Sequence, residues 1–322
     1  MNNYNWLQRN LHRFALSSTI VREAMFEIEK NLFFDDNFNN DDHVFIAGLA
    51  RSGSTILLNS LHESNEFASL TYEDMPFILA PNLWSIMTGK KEHKRIKERA
   101  HGDGIIISTN SPEAFDEVFW KTFKDNNYEI LFRKYVACVL KKYKKKRYLS
   151  KNNQNIRRIS SIYNVFPKAN ILIPFRNPLQ QAYSLLSQHK RFIDEQQNDK
   201  FVLQYMSWIG HSEFGLNYQP IVSENLEYEN VLNLNHWLEQ WYLTYLGVLD
   251  TQLEISPCQL VCYESLCEDK KVWFQIQENL FIKHKKESKF QSSQIEISEE
   301  YDIELLQRSQ DLYYHLKEVS LR

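Results

Sequence analysis

The chain has 322 residues, of which 43% are hydrophobic and 14% aromatic, enough to bury a large core in one folded unit. A formal net charge of -3 excludes nucleic-acid binding by bulk basicity, so an anionic partner must be met by a local cluster of cations. The four cysteines, Cys138, Cys258, Cys262 and Cys267, have no CxxC spacing and read as reduced thiols rather than as a disulfide or metal set.

Residues 1–20 lack the continuous apolar core of a signal peptide, and no stretch approaches the ~20 apolar residues of a membrane span, so a cytoplasmic protein is the expectation. From residue 43 onward, short apolar runs recur between longer amphipathic stretches. VFIA (44–47), FASL (67–70), YLS (148–150), ILIPF (171–175) and LVCY (260–263) suit buried strands. Thr55 to Leu61, Glu113 to Lys121, Tyr128 to Tyr143, Leu179 to His189, Val231 to Leu249 and Ile303 to Lys317 suit helices. This alternation predicts an α/β fold, a central parallel β-sheet flanked by helices, in a single domain over residues 1–322. The basic run KKYKKKR (141–147) reads as a solvated helix end whose cations favour the C-terminal dipole.

HVFIAGLARSGST (43–55) departs from a phosphate-binding P-loop at one position. Gly48, Gly53 and Thr55 take the places the fingerprint requires, but Ser54 stands where the lysine belongs. A strand, a Gly-containing turn and a helix opening near Ser54 aim several unpaired backbone N–H groups at one point, which makes an anion site. The helix dipole contributes only about 0.3–1 kcal/mol when exposed, so Arg51 in the turn and the hydroxyls of Ser52, Ser54 and Thr55 must add the rest. A nucleoside triphosphate with Mg²⁺ calls for the missing lysine and a metal-holding acidic strand, and neither is recognisable.

ILIPFRNPLQQAYSLLSQHKRF carries a second anion-binding pattern. Arg176 follows the apolar strand, Pro178 suits the opening of a helix, and Ser184 lies eight residues beyond Arg176, so a guanidinium and a hydroxyl converge on one phosphate. Each stretch alone also reads as an ordinary turn. Together, at the carboxyl ends of two strands, they point to a ligand with two separated anionic groups.

GLARSGSTILLNSL resembles the 5′-phosphosulfate loop, and RNPLQQAYSLLSQ the 3′-phosphate motif, of the sulfotransferases that use 3′-phosphoadenosine 5′-phosphosulfate (PAPS). YLSKNNQNIRRI is similar to that family's lysine-and-asparagine segment and LVCYESLCED to its late YEdL segment, so the resemblance spans about residues 43–270. It implies a P-loop NTPase-like sulfotransferase fold. It also implies transfer of a sulfuryl group from PAPS to a hydroxyl or amine, with 3′,5′-adenosine bisphosphate (PAP) as product and no metal required. Residue by residue, it implies Arg51, Ser52, Gly53, Ser54 and Thr55 at the phosphosulfate and Arg176 and Ser184 at the 3′-phosphate. Lys151 would then reach the bridging oxygen or sulfuryl group, and Asn155 and Arg158 would line the same cleft.

Such a transfer concentrates charge on equatorial and leaving oxygens, a task for Arg51 and Lys151, and an acceptor hydroxyl needs a base worth about 10²–10⁴ in rate. TYEDMPF (71–77) opens at the same sheet edge as the loop, and Glu73 and Asp74 are its candidates. Asp74 is preferred for its place before a Pro-containing turn, with a helix cap as its alternative role. His101 in RAHGDGI is a third candidate, because histidine titrates near neutrality.

Segments of about 76–128 and 190–240 fall outside the donor motifs and are the expected acceptor side. Their Trp84, Trp120, Trp208, Trp237 and Trp241 either stack on sugar rings or fill the core. His189, Lys190 and Arg191 either favour an acidic glycan or form a solvated helix end. The leading expectation is a carbohydrate or glycan acceptor. A kinase-like nucleotide enzyme with an altered loop and a catalytically silent nucleotide-binding module stay open beside it.

Overall fold

A computed structural model describes residues 4–89, 97–98, 106–124, 128–224, 226–252, 258–292 and 294–321. Its strands are β1 (Val44–Ile46), β2 (Phe67–Ala68), β3 (Lys97–Glu98), β4 (Ile106–Ile107), β5 (Arg147–Lys151), β6 (Asn170–Phe175) and β7 (Cys258–Cys262). β3 and β4 form a small antiparallel pair; the other five form one sheet in the order β2-β5-β1-β6-β7, with every neighbouring pair parallel. These five are the five apolar runs read as strands, and the fold is α/β with a central parallel sheet between helices.

The runs are nearly continuous in apolar residues because both faces of the sheet are covered. Phe45, Tyr148, Ile171, Ile173, Phe175 and Leu260 pack into one layer with the helix Tyr128–Tyr143 and its neighbours. Val44, Ile46, Leu149, Leu172 and Val261 pack into the other, against Leu57, Leu58 and Leu61 of the helix Ser54–His62.

Helix extents depart from the periodicity in two instructive places. The helix Pro178–Asn198 runs well past His189, because Leu185, His189, Phe192 and Gln196 keep one buried stripe at helical spacing. The stretch expected to be helical from Glu113 becomes so only at Glu117–Thr122, since Glu113 N donates to Leu70 O and Pro112 bridges to Thr71. Two N-terminal helices, Trp6–Ser17 and Thr19–Phe33, meet at Ser18, whose hydroxyl accepts from Val21 N and caps the second.

The basic run 141–147 is tied down rather than free. Lys142 pairs with Asp74, Lys141 with Asp35 at 3.6 Å, and Arg147 with Asp42 at 2.9 Å. Among the described residues no helix is long and apolar enough to cross a membrane.

The chain leaves β1 for β2 and β5 on one side, then crosses to β6 and β7 on the other. The carboxyl ends of β5, β1 and β6 therefore flank the switch point, where open α/β sheets bind ligands. Ile46 of β1 pairs with Lys151 of β5 and with Leu172 of β6, so β5 and β1 end together while β6 runs three residues further, to Phe175.

Candidate active site

The turn after β1 is shaped by two left-handed residues, Arg51 at φ 67° and Gly53 at φ 85°. For arginine that conformation costs about 1–2 kcal/mol, which the surroundings must hold in place. Three contacts do so. Ser52 Oγ donates to Leu49 O at 2.8 Å, Gln181 Nε2 donates to Ala50 O at 2.9 Å, and Arg51 Nε donates to Ser184 Oγ at 2.9 Å. Gly53 then serves as N-cap of Ser54–His62 and has no side chain to cap it, so the first-turn amides face the loop. Ser52 and Ser54 are buried and Thr55 half-buried.

Arg176 leaves β6 with its backbone N–H donating to Gln181 Oε1 at 3.2 Å and its Nε 3.8 Å from Glu264 Oε1. Its guanidinium carbon lies 5.9 Å from the ring centroid of Tyr263. Asn177 and Pro178 open the next helix as the sequence suggests, Asn177 accepting from Gln180 N and Pro178 taking the first turn. Gln181 and Tyr263 lie inside the quoted motifs, but nothing in the sequence taken alone assigns them a role. Yet Gln181 ties the loop to both Arg176 and Trp241, and Tyr263 packs so closely on Gly53 that an added Cβ would fall 2.3 Å from its Cδ2.

Lys151 ends β5 and is 6% exposed. Strand alternation puts it with Leu149 on the sheet face covered by the helix Ser54–His62, the helix that opens at the loop. Ser150 and Asn152 take the opposite face. Ser150 Oγ donates to Asp116, and Asn152 Nδ2 donates to Asp116 Oδ1 at 3.1 Å and Glu117 Oε2 at 2.8 Å. Burial pushes the Asp116 carboxyl up to about 6, against the hydrogen bond from Ser150 and with help from the Glu117 charge. Asn155 is buried beside them, its Nδ2 near Ile46 O and Ser150 Oγ, and its Oδ1 has no partner among the described residues. Arg158 is committed to Glu117 through two hydrogen bonds of 2.6 Å and lies over the Trp120 ring.

Asp74 departs from the role preferred for it. It is fully buried; one oxygen meets Lys142, and the other accepts from Tyr143 OH and Thr71 N, each at 2.7 Å. With Thr71 it forms a capping box around the short helical turn Tyr72–Asp74, so the cap is the role its geometry fills. Its neighbour Glu73 is exposed, and among the described residues its carboxylate accepts no hydrogen bond. His101 lies outside the described residues.

His189, Lys190 and Arg191 do not converge. His189 is buried against Tyr218 and Trp237, while Lys190 and Arg191 pair with Glu299 and Glu195. Trp237 and Trp241 are core residues, and Trp120 is 9% exposed.

Comparison with known proteins adds an independent line. Among solved structures, sulfotransferase STF1 from Mycobacterium tuberculosis H37Rv aligns at 12% identity over 95% of this chain and 81% of its own, with a TM-score of 0.50. Sulfotransferase STF9 from Mycobacterium avium aligns at 12% identity over 98% and 79%, with a TM-score of 0.48. At such identity the likeness to STF1 speaks for the fold alone. A search among curated proteins finds no significant match. The model of the sulfotransferase family, however, matches residues 43–233, more than half of the chain, beginning at the strand that feeds the loop and running through both anion-binding motifs. The chain belongs to the sulfotransferase family, whose enzymes draw their sulfuryl group from PAPS.

Proposed function

We propose that this protein binds PAPS at the carboxyl ends of β5, β1 and β6 and transfers its sulfuryl group to a hydroxyl of a carbohydrate or glycan. The observation that carries the reading is the gathering of Arg51, Lys151 and Arg176 at three adjacent parallel strands, with Arg51 hydrogen-bonded to Ser184. Two of those cations flank a helix N-terminus, so phosphate groups would find fixed N–H donors and charge together. The donor set, backbone N–H groups with arginine and lysine, suits a phosphate ester.

The donor supplies an activated sulfur: the acceptor oxygen forms a new S–O bond as the bridging S–O bond breaks, and PAP departs. In this assignment Arg176 and Ser184 hold the 3′-phosphate and orient it through Gln181, which fixes the Arg176 backbone. Arg51, Ser54, Thr55 and the first-turn amides hold the 5′ end. Lys151, deprived of water by burial, offsets the charge that grows on the leaving oxygen, where a preorganised cation is worth most. Glu73 receives the acceptor proton, since Asp74 is already occupied.

Isothermal titration with PAP, run beside ATP with Mg²⁺, tests the reading. Micromolar PAP binding without Mg²⁺ is the expected result; binding of ATP with Mg²⁺ and none of PAP would return the loop to the kinases.

A further inference from the structure

A groove of about 700 Å³ opens beside the donor motifs, where residues 117–124 and Tyr128 meet residues 207–219. Both stretches lie outside the anion-binding motifs. Its inner wall is the Glu117–Arg158 pair, and Glu117 is hydrogen-bonded to Asn152, the residue directly after Lys151. A smaller cavity of about 20 Å³ lies beside it, lined by Tyr218 and Gln219 of the groove and by Leu49 and Ala50 of the loop after β1. That cavity has room for a single water, so what ties the groove to the donor site is the succession Glu117, Asn152, Lys151.

The lining states what kind of molecule suits it. Among the described residues it contains no aliphatic side chain; serine, asparagine and glutamine groups share it with Trp120, Phe123, Tyr128 and Tyr218. A flat lipophilic acceptor needs apolar walls, whereas hydroxyls, amides and aromatic edges suit a polyhydroxylated one. The charge is unbalanced as well. Glu117 is taken up by Arg158, which leaves Lys121 and Lys124 on the same wall. Lys121 donates to Ser207 O, and its ammonium is held below its usual range by burial first, then by the charges of Arg22 and Lys124, with Glu117 a lesser opposing influence. Such a cluster gains from an arriving anion.

We propose that this groove is an acceptor subsite and that it selects a saccharide bearing an anionic group, a carboxylate or a sulfate ester, which Lys121 and Lys124 hold. The assignment rests on the sulfotransferase reading of the donor site.

The test is titration of the PAP-loaded protein with uronate-containing tetrasaccharides, each beside its carboxyl-reduced counterpart, for the wild type and for Lys124→Glu, a substitution at an exposed position that the fold tolerates. The expected result is tenfold or greater preference for the acidic saccharide, lost in Lys124→Glu, with PAP affinity unchanged within about twofold. Equal binding of acidic and reduced saccharides, no binding of either, or an unaffected Lys124→Glu variant would overturn the subsite while leaving the donor site standing. Failure of PAP itself to bind would overturn the donor reading and this assignment with it.

Discussion

Arg51 Nε donates to Ser184 Oγ across 2.9 Å, joining residues 133 positions apart in the chain. One lies in the turn after β1 and the other inside the helix Pro178–Asn198, so the two anion-binding motifs are fastened to each other before any ligand arrives.

Loss of either 3′-phosphate contact should appear as weaker PAP binding. A hydrogen bond to a charged group is worth about 1.5–3 kcal/mol, so Arg176→Ala and Ser184→Ala should each lower PAP affinity by about ten- to a hundredfold in calorimetry. Turnover at saturating donor should be much less affected. A fall in turnover with unchanged affinity would move Arg176 from binding to chemistry.

Glu73 and Asp74 should separate cleanly. Glu73→Gln should reduce turnover by about 10²–10⁴ with PAP affinity intact. Asp74→Asn breaks a buried pair with Lys142 and should lower unfolding stability by about 3–5 kcal/mol. Turnover that survives Glu73→Gln would remove Glu73 from the mechanism; thermal melts of both variants distinguish a lost base from a lost cap.

Arg51→Gly should trade function for stability. Glycine relieves about 1 kcal/mol of left-handed backbone strain at φ 67°, so the melting temperature should hold or rise while PAP binding is lost. Gly53→Ala should do the reverse to the fold: its added Cβ would collide with Tyr263, and both melting temperature and PAP affinity should fall.

The buried Asp116 gives stability a pH signature. Its folded-state value of about 6 lies above the ordinary carboxyl range, so the folded chain holds a proton that the unfolded chain has released. The corresponding stability is present below the ordinary value of 3.8 and is lost as pH rises through about 6. From about pH 4 to about pH 7, denaturant unfolding should show Asp116→Asn gaining roughly 3 kcal/mol relative to the wild type. A constant difference between the two proteins over that range would mean that Asp116 is ionised throughout.

The sheet and its anion motifs were legible because they are local: a buried parallel strand is a short apolar run, and a phosphate turn announces itself in Gly53, Arg51 and Pro178. The contacts that make a site of them are not local. Gln181 looks like any polar residue on a helix until Ala50, Arg176 and Trp241 are brought to it, and Tyr263 gains meaning only against the bare Cα of Gly53. The surroundings of Asp74 were hidden for the same reason, since Lys142 and Tyr143, which bind its carboxylate, stand almost seventy positions away. The two N-terminal helices are not among the stretches read as helical, although Asn5 and Ser18 cap them.

The sheet order also governs how the molecule comes into being. β1 is made early, yet its two partners, β5 and β6, begin only at Arg147 and Asn170. At about 5–20 residues per second, a ribosome takes roughly 5–20 seconds to travel from Ile46 to Lys151, and for that time the most apolar strand of the nascent chain has nothing to pair with. Parallel pairings of such long sequence separation form late and slowly. The interval before residue 151 emerges is therefore when this chain most needs shelter from other nascent chains, and a truncation anywhere in that interval leaves β1 without either neighbour.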